Sequence, residues 1–320
     1  MSLSKLDIEE NDEIDIFEEK ILKYSPTLFK LLLKDKTTER NILWGTNDYR
    51  KHGNLYDARC EIKIELITGF NSEIIQPRVT KEMKHQSNRT KEKAEVFTPS
   101  WICNRQNNLI DKEWFGKKEI FNIESEESWK TIEEKIIFPK TKGKNWTDYI
   151  DARRMEISCG EAPYLVSRYD AVTGEKIEVK NRIGLLDRKL RVVNENTETK
   201  DEWLKWAIRA FESTYGFEFQ GDNLLLAREN LLYTFIDNYE YKWNEKVRLR
   251  DLKKIANIIA WNLWQMNGIT YTIPYTEIEE NFFQLNMFEF IKKEKVKKYC
   301  KIKDWRARKT IEYRLLLKGE

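Results

Sequence analysis

Amphipathic helices alternate with short apolar runs through the second half of the chain. Thr199 and Glu202 form a capping-box pattern, and an apolar helical face begins directly after them at Trp203. Further helices are predicted after Asp222 and around Leu252, where apolar residues recur every three or four positions. Because strand-like runs lie between these helices, the pattern favours an α/β fold with a mainly parallel sheet.

The N-terminal part of the chain has a mixed pattern. Ser25 is typical of a helix N-cap, and Pro26 is typical of the first helical turn. In residues 60–67 apolar and charged residues alternate, which predicts a half-buried strand. We therefore divide the chain into an N-terminal α+β region, residues 1–93, and an α/β domain, residues 94–320.

The composition is that of a globular protein with nearly balanced charge. Of the 320 residues, 40% are hydrophobic and 35% are charged, which excludes a disordered chain. The net charge is only +3, because 57 basic residues face 54 acidic ones. Affinity for nucleic acid must therefore come from local clusters of basic residues.

Two stretches of the chain are locally basic. One is residues 78–93, and the other is residues 292–309, which contain ten basic residues against two acidic ones. Basic clusters with interleaved aromatic rings suit a phosphate backbone, although a solvated surface has the same composition. The residues predicted to contact DNA are Arg78, Lys81, Lys84, Arg89, Lys297, Lys298, Arg306 and Arg308.

The sequence contains no pattern typical of a membrane span, a disulfide framework or a metal site. No apolar run approaches the ~18 to 20 residues that cross a bilayer, and the first residues do not resemble a secretion signal. The four cysteines form no C-x-x-C pair, and the chain has only two histidines. We expect a soluble, cytoplasmic protein that binds no metal ion.

Residues 154–165, RMEISCGEAPYL, form the most specific segment. The first of them are typical of the end of a strand, and residues 159–162 form a turn of small residues that leads toward a helix. In an open α/β sheet, a nucleotide-like ligand binds beyond the carboxyl end of such a strand. Gly160 would allow the backbone to approach that ligand closely.

This segment resembles the S-adenosylmethionine motif of adenine-N6 DNA methyltransferases. Glu156, Cys159 and Gly160 match the family pattern, whereas Ala162 stands where the family has a second glycine, and Ser158 lies in the same turn. The resemblance implies a Rossmann-like sheet with S-adenosylmethionine as its cofactor. An ordinary turn with a buried cysteine is the alternative.

Two flanking segments resemble the same family. Residues 97–99, FTP, look like the segment before the cofactor motif, so Thr98 and Pro99 would begin a helix at the methionine end of the cofactor. Residues 215–232 look like a strand ending in an acid, followed by a helix of the pattern Leu-Ala-Arg-x-Asn-Leu. The implied ribose-binding acid is Glu218, and Asp187 is the competing acid.

Asn267 is the last cofactor residue that the resemblance implies. Its carbonyl would accept a hydrogen bond from the adenine amine. The neighbouring Trp261, Trp264 and Met266 fit a hydrophobic core better than a binding site. The implied cofactor residues are thus Thr98, Pro99, Glu156, Ser158, Cys159, Gly160, Ala162, Glu218 and Asn267.

The catalytic motif of the family is absent. It consists of Asn, Asp or Ser, two prolines and an aromatic residue, which hold the flipped target base, but no two of the six prolines here are adjacent. Two segments are partial substitutes for it. Asp304 and Trp305 end a predicted strand and are the catalytic candidates, while Pro274 and Tyr275 lack the preceding acceptor.

The resemblance implies an S-adenosylmethionine-dependent adenine-N6 methyltransferase of a restriction-modification system. Its substrate would be double-stranded DNA, and its partner a restriction endonuclease or a specificity subunit. The alternative is a catalytically silent DNA-binding subunit that partners a separate methyltransferase or endonuclease. Cofactor binding and methyl transfer are the measurements that distinguish the two.

Overall fold

The computed structural model describes residues 18–80, 98–276, 283–286, 289–291 and 298–317. The helices of this part are α1 (Glu18–Tyr24), α2 (Pro26–Leu33), α3 (Ser100–Phe115), α4 (Trp146–Asp151), α5 (Leu185–Asn196), α6 (Lys200–Glu212), α7 (Gly221–Trp243), α8 (Leu249–Asn262) and α9 (Tyr313–Leu317). The strands are β1 (Asn122–Glu124), β2 (Trp129–Thr131), β3 (Arg154–Ile157), β4 (Thr214–Glu218), β5 (Leu263–Gln265), β6 (Phe283–Asn286), β7 (Glu289–Ile291), β8 (Lys301–Asp304) and β9 (Lys309–Glu312).

The largest sheet has three parallel strands in the order β3-β4-β5. Phe217 of the central strand β4 pairs with Ile157 on one side and with Trp264 on the other. The remaining strands form antiparallel pairs, β1 with β2, β6 with β7 and β8 with β9. The fold is therefore α/β, but in the described part the parallel sheet is smaller than predicted, because these other strands pair with their neighbours in sequence.

Two pairs of helices connect the parallel strands, α5 and α6 between β3 and β4, and α7 and α8 between β4 and β5. The N-cap half of the predicted capping box at α6 is confirmed, since Thr199 Oγ1 accepts a 3.3 Å hydrogen bond from the Glu202 amide. The helices predicted after Asp222 and around Leu252 are α7 and α8. α7 packs against α2, α5, α8, β4 and β5, so nearly all its faces are buried.

The N-terminal helices share the core of the α/β part. α2 begins as predicted, with Ser25 Oγ accepting from the Leu28 amide, and it packs against α8. Arg228 of α7 is fully buried and donates to the carbonyl oxygens of Leu32 at 2.5 Å and Leu263 at 2.6 Å. One hydrophobic cluster runs from Ile21 to Leu263, so within the described residues the boundary at residue 93 does not separate two cores.

Residues 60–67 do not form the predicted strand. Glu61 makes only an isolated bridge with Leu43, and Ile64–Leu66 is a turn of 3-10 helix. The alternating pattern arises because Ile62 and Leu66 point into the core from an irregular segment that touches residues 42–44.

Two predicted helix starts are also wrong. No helix follows residues 159–162 directly, because positive φ angles at Gly160 and Ala162 are incompatible with one, and the next α-helix begins at Leu185. α3 begins one residue after Pro99, and the Ser100 amide donates to Asp170 Oδ2 at 2.8 Å rather than to Thr98.

The second face of the sheet is covered by the β8–β9 pair and α9. Phe217, Trp264 and Met266 form a cluster there with Ile302 and Tyr313. Trp264 and Met266 are 2% and 0% exposed, so their interpretation as core residues is confirmed. Among the described residues, none of the helices combines the length and apolar character that a bilayer crossing needs.

Candidate functional site

A cavity of about 480 Å³ opens beyond the carboxyl ends of β3 and β4. Parallel strands place their carboxyl ends at the same edge of a sheet, so the turn after β3 and the end of β4 meet there. The lining includes Gly160 from that turn and Glu218 from β4. Gly45 and Arg78 come from the N-terminal region, so residues far apart in the sequence build one cavity.

The turn after β3 has an unusual backbone. Ser158, Gly160 and Ala162 have φ angles of 50°, 53° and 66°. This left-handed conformation costs about 1–2 kcal/mol for a residue with a side chain, which applies to Ser158 and Ala162. The Cys159 amide anchors the turn by donating to the Phe217 carbonyl at 2.8 Å. Strained backbone that faces a cavity is typical of ligand-binding sites.

Glu218 joins this turn to β4. Its Oε2 accepts a 2.8 Å hydrogen bond from the Gly160 amide, and its Oε1 accepts from the amides of Phe219 at 2.8 Å and Gln220 at 3.1 Å. Burial raises the pKa of the Glu218 carboxyl, although the three amide donors oppose the shift. A carboxylate accepts about four hydrogen bonds, so Oε2 retains room for one more donor.

Glu156 supports the turn from the neighbouring strand. Its carboxylate accepts hydrogen bonds from the amides of Tyr164 at 3.4 Å and Leu165 at 3.2 Å. Burial raises the pKa of Glu156 well above its usual value, and the nearby Glu218 adds to the shift. Glu156 therefore holds the backbone that follows the turn.

Aromatic rings form one wall of the cavity. Phe219 and Tyr275 meet edge to face with their centroids 5.7 Å apart. Gly45 lies against them, and a Cβ added to it would come within 2.5 Å of the Phe219 carbonyl oxygen. The Tyr275 hydroxyl donates to the Gly45 carbonyl at 3.4 Å. The N-terminal region and the segment after β5 are thus held together at this wall.

The opposite end of the cavity is polar. Glu161 accepts 2.7 Å hydrogen bonds from the Arg78 amide and the Tyr169 hydroxyl. Asn230 of α7 is 4% exposed, and its Nδ2 donates to the Tyr169 hydroxyl at 3.2 Å. Its Oδ1 is buried and has no hydrogen-bond partner within the described residues.

The charges of the lining favour a neutral or cationic ligand. Three carboxylates, those of Glu156, Glu161 and Glu218, line the cavity together with two guanidinium groups. One of the two, that of Arg168, is 3.0 Å from the carboxylate of Asp237. A ligand with several phosphate groups would therefore bring its negative charge close to carboxylates.

The structure brings most of the predicted cofactor residues together. Those that line the cavity are Thr98, Glu156, Ser158, Cys159, Gly160 and Glu218. Pro99 and Ala162 adjoin it in sequence without lining it. Asp187 is buried in the first turn of α5, where it accepts from the Ser167 amide at 2.8 Å, so Glu218 is the acid that reaches the cavity.

Asn267 is not part of the cavity lining. Its Oδ1 accepts hydrogen bonds from the amides of Ile269 at 2.9 Å and Thr270 at 3.1 Å, which closes a turn after β5. The Asn267 side-chain carbonyl, which the resemblance places against adenine, therefore accepts hydrogen bonds from the backbone of its own turn.

Asp304 and Trp305 lie at the amino end of the parallel sheet. Asp304 is 3.0 Å from Arg153, which precedes β3, and Trp305 Nε1 donates to Asn262, which precedes β5, at 2.7 Å. The cavity is at the opposite, carboxyl edge. The two residues therefore do not reach it, which corrects their prediction as catalytic candidates, whereas Tyr275 of the other segment lines it.

Among the described residues, those predicted to contact DNA do not form one surface. Arg78 is 4% exposed and lines the cavity, so it is not part of an open basic surface. Arg306 forms an ion pair with Asp151 at the amino edge of the sheet, and Lys298 and Arg308 are exposed. Lys81, Lys84, Arg89 and Lys297 lie outside the described residues.

Several lining residues were missed from the sequence. The sequence patterns do not predict four of the lining residues, which are Gly45, Arg168, Tyr169 and Asn230. They predict Arg78 as a DNA contact and not as part of the cavity. Asn230 could have been predicted as a lining residue, because it is the Asn of the Leu-Ala-Arg-x-Asn-Leu pattern in α7. The others come from irregular segments whose position depends on tertiary packing.

Comparisons with protein-family models, with curated proteins and with solved structures find no match to this chain. Its function must therefore be inferred from the geometry and chemistry of the cavity.

Proposed function

We propose that the chain binds S-adenosylmethionine in this cavity and acts as a DNA methyltransferase of the adenine-N6 class, as part of a restriction-modification system. One observation carries the proposal. The residues that resemble three separate motifs of that family, around Thr98, Gly160 and Glu218, line a single cavity at the carboxyl edge of a parallel sheet. A cytoplasmic location, with access to DNA, belongs to the same proposal.

The dimensions and chemistry of the cavity support this ligand. Its volume of about 480 Å³ lies within the range of small-molecule sites. Phe219 and Tyr275 offer aromatic surface for the adenine ring. The remaining acceptor site of Glu218 suits a ribose hydroxyl.

The polar end of the cavity suits the methionine part. The Arg78 guanidinium in the lining is the complement of a carboxylate. Glu161 and Glu218 line the cavity, and one of its two guanidinium groups, that of Arg168, is paired with Asp237. A sulfonium cation therefore fits better than the pyrophosphate of a dinucleotide.

The bound cofactor would supply an activated methyl group. The contribution of the protein would be positional, because the turn at Gly160 and the carboxylate of Glu218 hold the donor relative to an incoming amine. Such a transfer needs no metal ion. A target base would have to leave its helix to reach the cavity.

A second candidate is a catalytically silent subunit that retains only the cofactor site. It is favoured by the position of Asp304 and Trp305 at the other edge of the sheet and by Ile273, an apolar residue, in front of Pro274 and Tyr275. Such a protein would partner a separate methyltransferase or an endonuclease.

Titration calorimetry with S-adenosylmethionine tests the cofactor site. We expect saturable binding that Glu218→Gln weakens about tenfold or more, because its amide has only one acceptor oxygen for the three backbone donors and the ribose. Glu113→Gln, an exposed change on α3, is the matched control. Failure of the wild-type protein to bind would end the proposal.

Transfer of a tritium-labelled methyl group to unmethylated DNA separates the two candidates. An active enzyme labels N6 of adenine, which digestion to nucleosides identifies. Binding of the cofactor without any labelled nucleoside would identify the silent subunit.

A further inference from the structure

A groove leaves the candidate cofactor cavity and crosses the N-terminal region. Tyr275 lines both that cavity and a smaller one of about 110 Å³. The smaller cavity shares Arg40, Leu43 and Arg59 with a third cavity of about 240 Å³, which Lys63 also lines. Each cavity thus shares lining residues with the next, and we refer to the two smaller cavities, from Tyr275 to Lys63, as the groove.

The exposed charges along this groove are mainly positive. Arg40, Arg59 and Lys63 are exposed. Glu61 is paired with Arg40 at 3.7 Å and accepts a 3.0 Å hydrogen bond from the Asn41 amide. Asp35 is 3% exposed, and its carboxylate accepts from the amide and the hydroxyl of Thr38. The surface left for a ligand thus carries more positive than negative charge.

Tyr275 presents an aromatic ring where the groove meets the cavity. The side chain is 42% exposed, and the residue has a φ angle of 59°. The Arg59 guanidinium lies 5.5 Å from the centre of the ring, and Phe219 packs against the ring from the cavity side. These contacts hold the ring in place while part of it remains open to a planar ligand.

We propose that this groove binds an unpaired DNA strand, with its phosphates on Arg40, Arg59 and Lys63 and one base stacked on Tyr275. Clustered cations combined with aromatic platforms are how proteins bind single strands. The assignment rests on the proposed function in one respect, since DNA is taken as the substrate. The strand would run from the groove into the site of the methyl donor.

Fluorescence anisotropy of a dye-labelled 12-nucleotide DNA strand tests the groove, in the absence of S-adenosylmethionine. We expect Lys63→Ala and Arg59→Ala each to weaken binding severalfold at low salt and to reduce the slope of log affinity against log salt by about 0.7. Tyr275→Ala should weaken binding about tenfold, whereas Tyr275→Phe, which keeps the ring, should bind like the wild type.

The control is Lys118→Ala, which removes an exposed lysine that lines none of the three cavities. An equal loss in this variant, or no loss in the groove variants, would overturn the assignment. So would absence of strand binding by the wild type, or tighter binding of the matching duplex with the same dependence on Lys63.

Calorimetry with S-adenosylmethionine on Lys63→Ala separates this proposal from the proposed function. Lys63 does not line the cofactor cavity, so its removal should leave cofactor affinity unchanged. If Lys63→Ala binds the DNA strand more weakly but binds the cofactor normally, the result supports strand binding in the groove. If the wild-type protein does not bind the cofactor, the result contradicts only the proposed function of the cofactor cavity.

Discussion

The amide of Gly160 donates a 2.8 Å hydrogen bond to the carboxylate of Glu218, which lies 58 residues later in the chain. The bond fixes the turn after β3 against the end of β4. Because both residues line the cavity, this contact helps to set the shape of the site, together with the bond from the Cys159 amide to the Phe217 carbonyl. The contact also explains why the acid is buried although it ends a strand.

Gly160→Ala should impair ligand binding more than stability. A Cβ at this position meets no atom within 4 Å, so the methyl group would occupy the space of the cavity. The left-handed backbone costs the variant about 1–2 kcal/mol of folding free energy. We expect the melting temperature to fall by a few degrees. We expect the affinity for S-adenosylmethionine, measured by calorimetry, to fall about tenfold or more.

Gly116→Ala is the matched control for that change. Gly116 has a φ of 76°, ends α3, and also has no atom within 4 Å of an added Cβ, but it does not line the cavity. The melting temperatures of the two variants should fall by similar amounts, and only Gly160→Ala should bind the ligand more weakly. Equal affinities would show that Gly160 does not face the ligand.

Stability should fall as the pH rises from about 5 to 8, because of a buried carboxyl pair. Burial raises the pKa of Glu18 to about 8 from a reference value of 4.5. The pKa of Glu229 is raised well above its usual value by burial and, secondarily, by Glu18. The folded state therefore holds protons that the unfolded state has released, so this contribution is complete below pH 4.5 and is lost as the pH passes 8.

Urea denaturation at pH 5, 6.5 and 8 measures this dependence. Glu229→Gln mimics the protonated side chain and should flatten the pH profile, whereas Glu113→Gln, exposed on α3, should leave it parallel to that of the wild type. A wild-type profile that rises over this range would contradict the buried-pair explanation.

Gly221→Ala should destabilise the fold through a steric clash. Gly221 is the first residue of α7, its amide donates to the Trp44 carbonyl at 2.8 Å, and an added Cβ would collide with the Leu43 carbonyl. Overpacking of this kind costs about 1–3 kcal/mol. Urea denaturation should show that loss, and a variant as stable as the wild type would contradict the clash.

Asp111→Ala should cost much more than a comparable change on the surface. Asp111 and Arg188 form an ion pair in which each residue is 1% exposed. Removing one partner of a buried pair costs about 3–5 kcal/mol, because the other charge is left uncompensated. Glu245→Ala, which breaks an exposed pair with Lys200, should change stability by less than about 1 kcal/mol. Similar losses in the two variants would contradict this explanation.

Regular periodicity was sufficient to predict the elements that surround the sheet. The apolar spacing identified α6, α7 and α8, because each buries a face along its whole length. The same reasoning failed at residues 60–67, where Ile62 and Leu66 are buried without a partner strand of comparable length. Alternation of apolar and charged residues indicates which side chains are buried, but it does not show whether the backbone forms hydrogen bonds with another strand.

The cavity could be predicted only in part. Gly160 and Glu218 follow strands and could be inferred from local pattern, because strand ends determine where they lie. Gly45 and Arg78 reach the same cavity through irregular segments, and nothing in their local sequence specifies that position. The choice between Asp304 and Tyr275 likewise required the tertiary structure, because both follow strand-like runs yet lie at opposite edges of the sheet.

Gln265 makes completion of the cavity a late event in folding. Its side chain exchanges two hydrogen bonds with Leu43, 2.7 and 2.8 Å long, across 222 residues of chain, and it also donates to the Phe219 carbonyl at 2.8 Å. Contacts between such distant residues form slowly, because the intervening chain must first be ordered. During synthesis on the ribosome, the wall that contains Gly45 and Tyr275 therefore cannot close until Tyr275 has emerged. Ligand binding would thus report completed tertiary folding, whereas α2, formed from residues close in sequence, can appear much earlier.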